Sequence, residues 1–283
     1  IKHVAHIISG PLSKIINCSF KHGCFPDSLK KAVVIPVYKA KSKHETKNFR
    51  PISLLTTLSK IFENAMYSRL YQFVSENNIL YPDQFGFRAK HSTDQALTKI
   101  LGTILDAWEN KSKTLAVLMD LSKAFDTLDH TILLEKLKSY GVTGPAHQWL
   151  QSYLSNRSQM VKCDNNLSET GVITCGVPQG SILGPLLYLI YANDVIQKVS
   201  HVKIIMYADD CTCLISSRDC DQMFSLMNED LAKIQSWFKN NKLSLNLAKT
   251  KGIVFGQSVR LNPEQHVLQV GNEVVEMVEH AKL

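Results

Sequence analysis

Two periods of apolar and polar positions run along this chain, and the switches between them predict its elements. Residues 31–38 (KAVVIPVY) read as a short strand, with Pro36 placing it near a sheet edge. Residues 39–50 (KAKSKHETKNFR) are basic and polar, as expected of a loop. After Pro51, Leu54, Leu55, Leu58, Ile61, Phe62 and Met66 recur at three- and four-residue spacing, the mark of a helix. Residues 93–110 read as a second helix, with Ser92 or Thr93 as its cap. The run LAVLMD (115–120) is almost continuously apolar, which predicts a strand buried on both faces.

Residues 130–155 read as helical, with a break around Gly141, Gly144 and Pro145. Two strand-like runs follow, 158–163 and 170–175, with polar Asp164, Asn165 and Asn166 between them. A loop rich in Gly, Pro and Gln leads into an apolar helix from about residue 182. Residues 203–208 and 211–216 read as two strands joined at Asp209–Asp210. An amphipathic helix (219–241) and another strand (250–256) complete the pattern. The sum is an α+β fold, an antiparallel hairpin beside a buried strand with helices packed on it.

Charge adds a partner class. The net charge of the 283 residues is +7, but residues 1–60 hold eleven Lys or Arg against Asp27 and Glu45 alone, so the rest is slightly acidic. A basic front section suits a polyanion, or is simply a solvated face. The seven cysteines are irregularly spaced, with no pair at zinc-finger spacing, and read as free thiols. The longest apolar stretch, Leu186 to Ala192, is too short to span a bilayer, so no membrane partner is expected. The start, IKHVAHIISG, has no initiator Met and no signal-peptide layout, as expected of a segment of a longer product.

Candidate chemistry lies in three places. In KIIMYADDCTCLIS (203–216), Asp209 and Asp210 sit between two apolar strands, where a tight turn would present them at a tip. Alone, such a pair is an ordinary surface turn. Asp120 ends the apolar run before LSKAFDTLDH, where an acid is costly without a cation or donor, or serves as a helix cap. If that strand lies beside the hairpin, the carboxylates meet at one strand end. They would repel there, and two Mg²⁺ ions would relieve the repulsion. In CGVPQGSILGPLLY (175–188), Gly176, Gly180 and Gly184 allow close backbone approach. Ser181 is a candidate cap, and the helix start after it suits a phosphate or a template strand.

Taken in order, NFRPISLLTTLSKIFE (48–63), DQFGFRAKHST (83–93), MDLSKAFDTLDH (119–130), GVPQGSILGPLLY (176–188), YADD (207–210) and LSLNLAKTK (243–251) resemble the reverse transcriptase of LINE-type, non-LTR retrotransposons, close to the jockey-like elements of animals. The resemblance covers nearly the whole chain. It implies a right-hand polymerase fold in a single reverse transcriptase domain, about 30–283. Fingers would be 1–112 with an inserted section, about 129–178. Palm would be 113–128 and 179–283, with no thumb.

The same resemblance assigns roles. Asp120, Asp209 and Asp210 would be the catalytic acids. With the backbone carbonyl of Leu121 they would hold two Mg²⁺ ions. Phe125 would be the gate against a ribose 2′-OH. Gln179 and Gly180 would lie at the incoming nucleotide, and Lys39 and Arg50 would hold its triphosphate. Arg88 and Lys90 would touch the template backbone. Either Lys249 or Lys251 would protonate pyrophosphate. Implied partners are an RNA template, a DNA primer, dNTPs and an element RNA particle, with action in the nucleus. The competing readings are a reverse transcriptase of the group II intron or retron kind, and a non-catalytic RNA-binding remnant of such an element.

Overall fold

The computed structural model describes residues 4–39, 42–256 and 261–280. They form two compact units, one of residues 1–79 with 125–191 and one of 80–124 with 192–283. The first begins with α1 (Ala5–Lys21), β1 (Lys31–Tyr38), β2 (Phe49–Leu54) and α2 (Thr57–Glu76). The chain then enters the second for α3 (Thr93–Glu109), β3 (Lys113–Met119) and β4 (Leu121–Ser122). It returns for α4 (His130–Ser139), α5 (Gly144–Leu154), β5 (Arg157–Cys163), β6 (Asn166–Leu167), β7 (Gly171–Ile173) and α6 (Leu183–Ala192). The second unit closes with β8 (Lys203–Tyr207), β9 (Asp210–Ser217), α7 (Cys220–Asn240), β10 (Ser244–Leu245), β11 (Lys251–Phe255), β12 (Leu268–Val270) and β13 (Glu273–Met277). The fold is mixed α+β, as the periodicity predicts. No helix among the described residues is long and apolar enough to cross a membrane.

In the first unit, β1 lies between β2 and β5, with β6 and β7 beyond on β5. Two expectations change here. The stretch read as a loop ends in a strand, β2, and the helical pattern read from Leu54 starts only at Thr57, capped by the Thr56 side chain. β1, read as near an edge, lies one strand in from it, beside edge strand β2. Pro36 is tolerated because the parallel ladder to β5 ends at Val34, so the outer half of β1 has a neighbour on one side only. Pro36 faces Pro51 across the β1–β2 pair. Ser53, two residues from Pro51, sends its N–H outward to the Gln179 carbonyl, 2.7 Å away. Pro51 shares that parity, so its missing N–H takes nothing from the ladder.

In the second unit the sheet order is β12-β13-β11-β3-β9-β8. β3 sits between antiparallel β11 and β9. On one face Ala96 and Ile100 of α3 join Ala116, Ile205, Leu214 and Ile253 in a core cluster. Leu115 and Val117 alternate to the other face and are fully buried. The N-terminal end of α3 is fixed by a capping box between Ser92 and Gln95. Asp230 of α7 is buried and accepts the backbone N–H groups of Ser200, His201 and Val202, tying α7 to the segment before β8.

Candidate active site

The β-ladder of the second unit collects the acids. Met119 ends β3 opposite Cys211, so Asp120 and Asp210 fall at the same end of this strand pair. Tyr207 pairs with Asp210 across the hairpin. The turn is therefore Ala208–Asp209, one residue earlier than the pattern suggested, and Asp210 opens β9. Asp120 and Asp209 are half-buried and Asp210 is exposed.

A segment outside both strands holds this turn. The Gln84 Nε2 donates to the Ala208 carbonyl at 3.2 Å, while its Oε1 accepts the Ala208 N–H at 3.1 Å and the Gly86 N–H at 2.8 Å. Met206 N–H donates to the Asp83 carbonyl and Phe85 N–H to that of Met206. Ala208 has φ +58°, a left-handed conformation rare outside glycine. Gly86 lies so close that a Cβ there would run into the Ala208 nitrogen. Gln84 is almost fully buried. Nothing in the sequence pattern singles it out, because the backbone it holds lies 124 residues away.

Asp120 has two partners on one oxygen. Lys249 Nζ lies 2.7 Å and Asn246 Nδ2 3.1 Å from its Oδ2, and the Asn246 N–H donates to its carbonyl at 2.8 Å. The pairing of Leu121 with Leu245 brings these segments together. Lys251 instead pairs with Glu276, so the geometry separates the two lysines that spacing left equal. Three carboxylates and the Leu121 carbonyl are hard oxygen donors of the kind Mg²⁺ prefers. An ammonium already rests on one of them, which marks a position that accepts positive charge. By the chemistry of their donors these residues suit a divalent ion, although among the described residues the group of three ligating side chains whose atoms already lie within 4.8 Å of one another is His201, Glu229 and Asp230.

The nucleotide candidates of the first unit share a second frame. The Gly176 and Val177 N–H groups donate to the Leu128 and Phe125 carbonyls at 2.7 and 2.9 Å. Gly176 has φ +79°, and a Cβ on it would sit 2.6 Å from the Asp126 carbonyl oxygen. Gln179 Nε2 donates to Asp126 Oδ1 at 2.8 Å. Gly180, at φ +114°, packs against the Ser53 carbonyl of β2. Phe125 stacks on Tyr188, ring centres 5.1 Å apart. Arg50, exposed on β2, pairs with Val37, and exposed Lys39 lies two residues further along that strand direction. Phe125, Gln179, Gly180 and the Arg50 strand are thus tied together.

One expectation fails in this frame. The start of α6 does not wait for a phosphate. Buried Glu63 of α2 accepts the Ile182 N–H at 2.8 Å and the Leu183 N–H at 3.4 Å, and Ser181 Oγ accepts that of Gly184. The protein supplies its own anion at that helix terminus. Burial, followed by the neighbouring Glu63 charge, pushes the Tyr153 phenol far above its usual range. In the second unit, Arg88 directs Nη1 to the carbonyls of Tyr81 and Gln84, at 2.8 and 3.1 Å, and so braces its own loop. Lys90 is exposed, with φ +63°.

The chain belongs to the reverse transcriptase (RNA-dependent DNA polymerase) family, whose model matches residues 39–271. Among individual relatives, it is 35% identical over 247 residues to the probable RNA-directed DNA polymerase from transposon BS, and 33% over 254 to the RNA-directed DNA polymerase from mobile element jockey, both of Drosophila melanogaster. These matches take in 84% and 86% of this chain but 27% of each relative. The chain thus spans about a quarter of the length of these relatives. The resemblance to polymerases of non-LTR retrotransposons stands on these matches.

Proposed function

We propose that this chain is the catalytic core of an RNA-directed DNA polymerase, joining dNTPs to a primer 3′-OH against an RNA template. The observation that carries the reading is the β3–β9 register with its hairpin, which collects Asp120, Asp209 and Asp210 at one strand end. The fold on this reading is the right hand: fingers from 1–112 with about 129–178, and palm from 113–128 and 179–283.

Asp120, Asp209, Asp210 and the Leu121 carbonyl would hold two Mg²⁺ ions. Bound there, such ions would lower the pKa of the attacking hydroxyl and neutralise charge on the leaving pyrophosphate. The remaining roles belong to the chain's own groups. Arg50 and Lys39 bind triphosphate oxygens. Gln179 and Gly180 line the nucleotide, and the hydrogen bonds that Gln179 donates to Asp126 and accepts from Ser53 of β2 keep that lining rigid. The Phe125 ring, braced by Tyr188, excludes a 2′-OH. Lys249 rather than Lys251 delivers a proton to pyrophosphate, because Lys249 alone of the two contacts Asp120. Lys90 and Arg88 lie along the template. Partners would be element RNA, packaged as a particle, and a DNA primer in the nucleus.

Primer extension on an RNA template with Mg²⁺ and dNTPs tests the proposal, using the chain and a form lengthened at its C-terminus. Incorporation should require both Asp120 and Asp209. No extension by the lengthened form, or full extension by Asp209→Asn, would defeat the polymerase reading.

A further inference from the structure

The turn after β10 has a design that the chemistry above does not use. The Asn246 carbonyl accepts the N–H groups of Lys249 and Thr250, both at 3.0 Å, and the Thr250 hydroxyl at 3.0 Å. Thr250 is fully buried. The turn is thus closed on itself before it meets Asp120. It then presents two side chains, Asn246 and Lys249, to a single carboxylate oxygen. A carboxylate only accepts, so the Asn246 amide must face it with its nitrogen. With the backbone bond from Asn246 N–H to the Asp120 carbonyl, Asn246 grips Asp120 at main chain and side chain together.

We propose that Asn246 is the positioning residue of Asp120, holding Oδ2 so that the carboxylate is already oriented for a divalent cation. The inference rests on the polymerase reading of Asp120 and goes beyond it to how that carboxylate is held. Asn246 touches neither nucleotide nor primer in this role. It acts through Asp120, as hydrogen-bond partners of metal ligands do, and loss of such a partner weakens metal affinity by about 10–100-fold. Lys249 bonds the same oxygen with the opposite consequence. Its ammonium occupies the carboxylate as a cation and repels a divalent ion nearby. Two contacts on one atom are therefore set against each other, one orienting the ligand and one competing for it.

The opposition yields a test that a merely structural role does not pass. Mn²⁺ binding to the full chain, followed by electron paramagnetic resonance without nucleotide or primer, reads affinity independently of turnover. Asn246→Ala should weaken binding at the Asp120-dependent site by about tenfold or more, and the near-isosteric Asn246→Leu should do the same. Lys249→Met should tighten it. An unchanged affinity in both Asn246 variants overturns the proposal. So does weakening by Lys249→Met equal to that of Asn246→Ala, since loss of either bond then acts only by loosening the turn. Circular dichroism identifies a variant that has unfolded, and Asn246→Leu, which keeps the side-chain volume, then carries the comparison. Asp120→Asn separates this inference from the reading beneath it. If that variant binds Mn²⁺ as the parent does, the metal site and the inference fall together. If it abolishes binding while the Asn246 variants do not alter it, only the inference falls.

Discussion

Gln84 holds Ala208 by both of its backbone polar groups, across 124 residues of chain. One amide side chain thereby does what a neighbouring strand would do, and does it at the residue next to Asp209. Replacing Gln84 with Leu leaves the buried N–H and carbonyl of Ala208 without this partner, at about 1–3 kcal/mol for each unsatisfied group. The variant should unfold at lower urea concentration and lose primer extension beyond what its lower stability explains. A variant as stable and active as the parent would show the clamp to be idle.

Gly86 gives a steric version of the same dependence. A methyl group there meets the Ala208 backbone rather than a pliable side chain. Gly86→Ala should cost about 1–3 kcal/mol, the range for overpacking, read from the shift in the unfolding midpoint. A neutral Gly86→Ala would mean that the turn can move away from residues 83–86 at little cost.

Glu63 caps α6 from another helix. Glu63→Gln keeps the shape and an accepting oxygen but removes the charge facing the helix start, and should cost about 0.3–1 kcal/mol, the worth of a charge at a helix terminus. Urea unfolding of the variant checks this, and an unaltered midpoint would count against the capping role.

Asp230 sets an acid limit. Burial alone would raise its carboxyl pKa, yet the N–H groups of His201 and Val202, the Lys233 ammonium and the Ser200 N–H together hold it below the usual value. The folded carboxyl takes up a proton less readily than the unfolded one. Its stabilisation is therefore present above the unfolded value of about 3.9 and disappears as pH falls through the lower folded value. The advantage in melting temperature of the parent over Asp230→Asn should persist near neutrality and shrink in acid. An advantage that instead grows in acid would reverse the assignment.

Phe125 governs sugar choice on the proposed reading. Phe125→Val should lower the preference for dNTPs over rNTPs, in kcat/KM, by on the order of tenfold or more. Unchanged selectivity would leave the ring as a packing partner of Tyr188.

The sequence made some of this legible and hid the rest for a physical reason. Asp120 stood out because an acid closes the apolar run of β3, and Asp209 because two apolar strands flank it. Such patterns lie within one element. The hairpin was placed one residue out, because strand alternation does not say which pair closes a turn. Strand β2 was missed because Arg50 and Pro51 break its alternation, and its support comes from β1 across a loop. The grip of Asn246 on Asp120 spans 126 residues, and that of Gln84 on Ala208 is as remote. An amide does not announce its partner when that partner is a distant backbone or carboxylate. The start of α6 looks open to an anion in the sequence because Glu63, which fills it, lies far upstream in a segment whose pattern shows only a helix.

The facing prolines of β1 and β2 have a consequence for how the first unit finds its pairing. A slip of β2 by one residue would turn Pro51 toward β1, where the ladder calls for an N–H that proline lacks. The mispaired hairpin would lose a hydrogen bond at once, and its side chains would exchange faces. Pro36 imposes the same penalty from the opposite strand. The two rings thus serve as an alignment key, read during folding rather than during catalysis. What they guard is the face on which Arg50 stands.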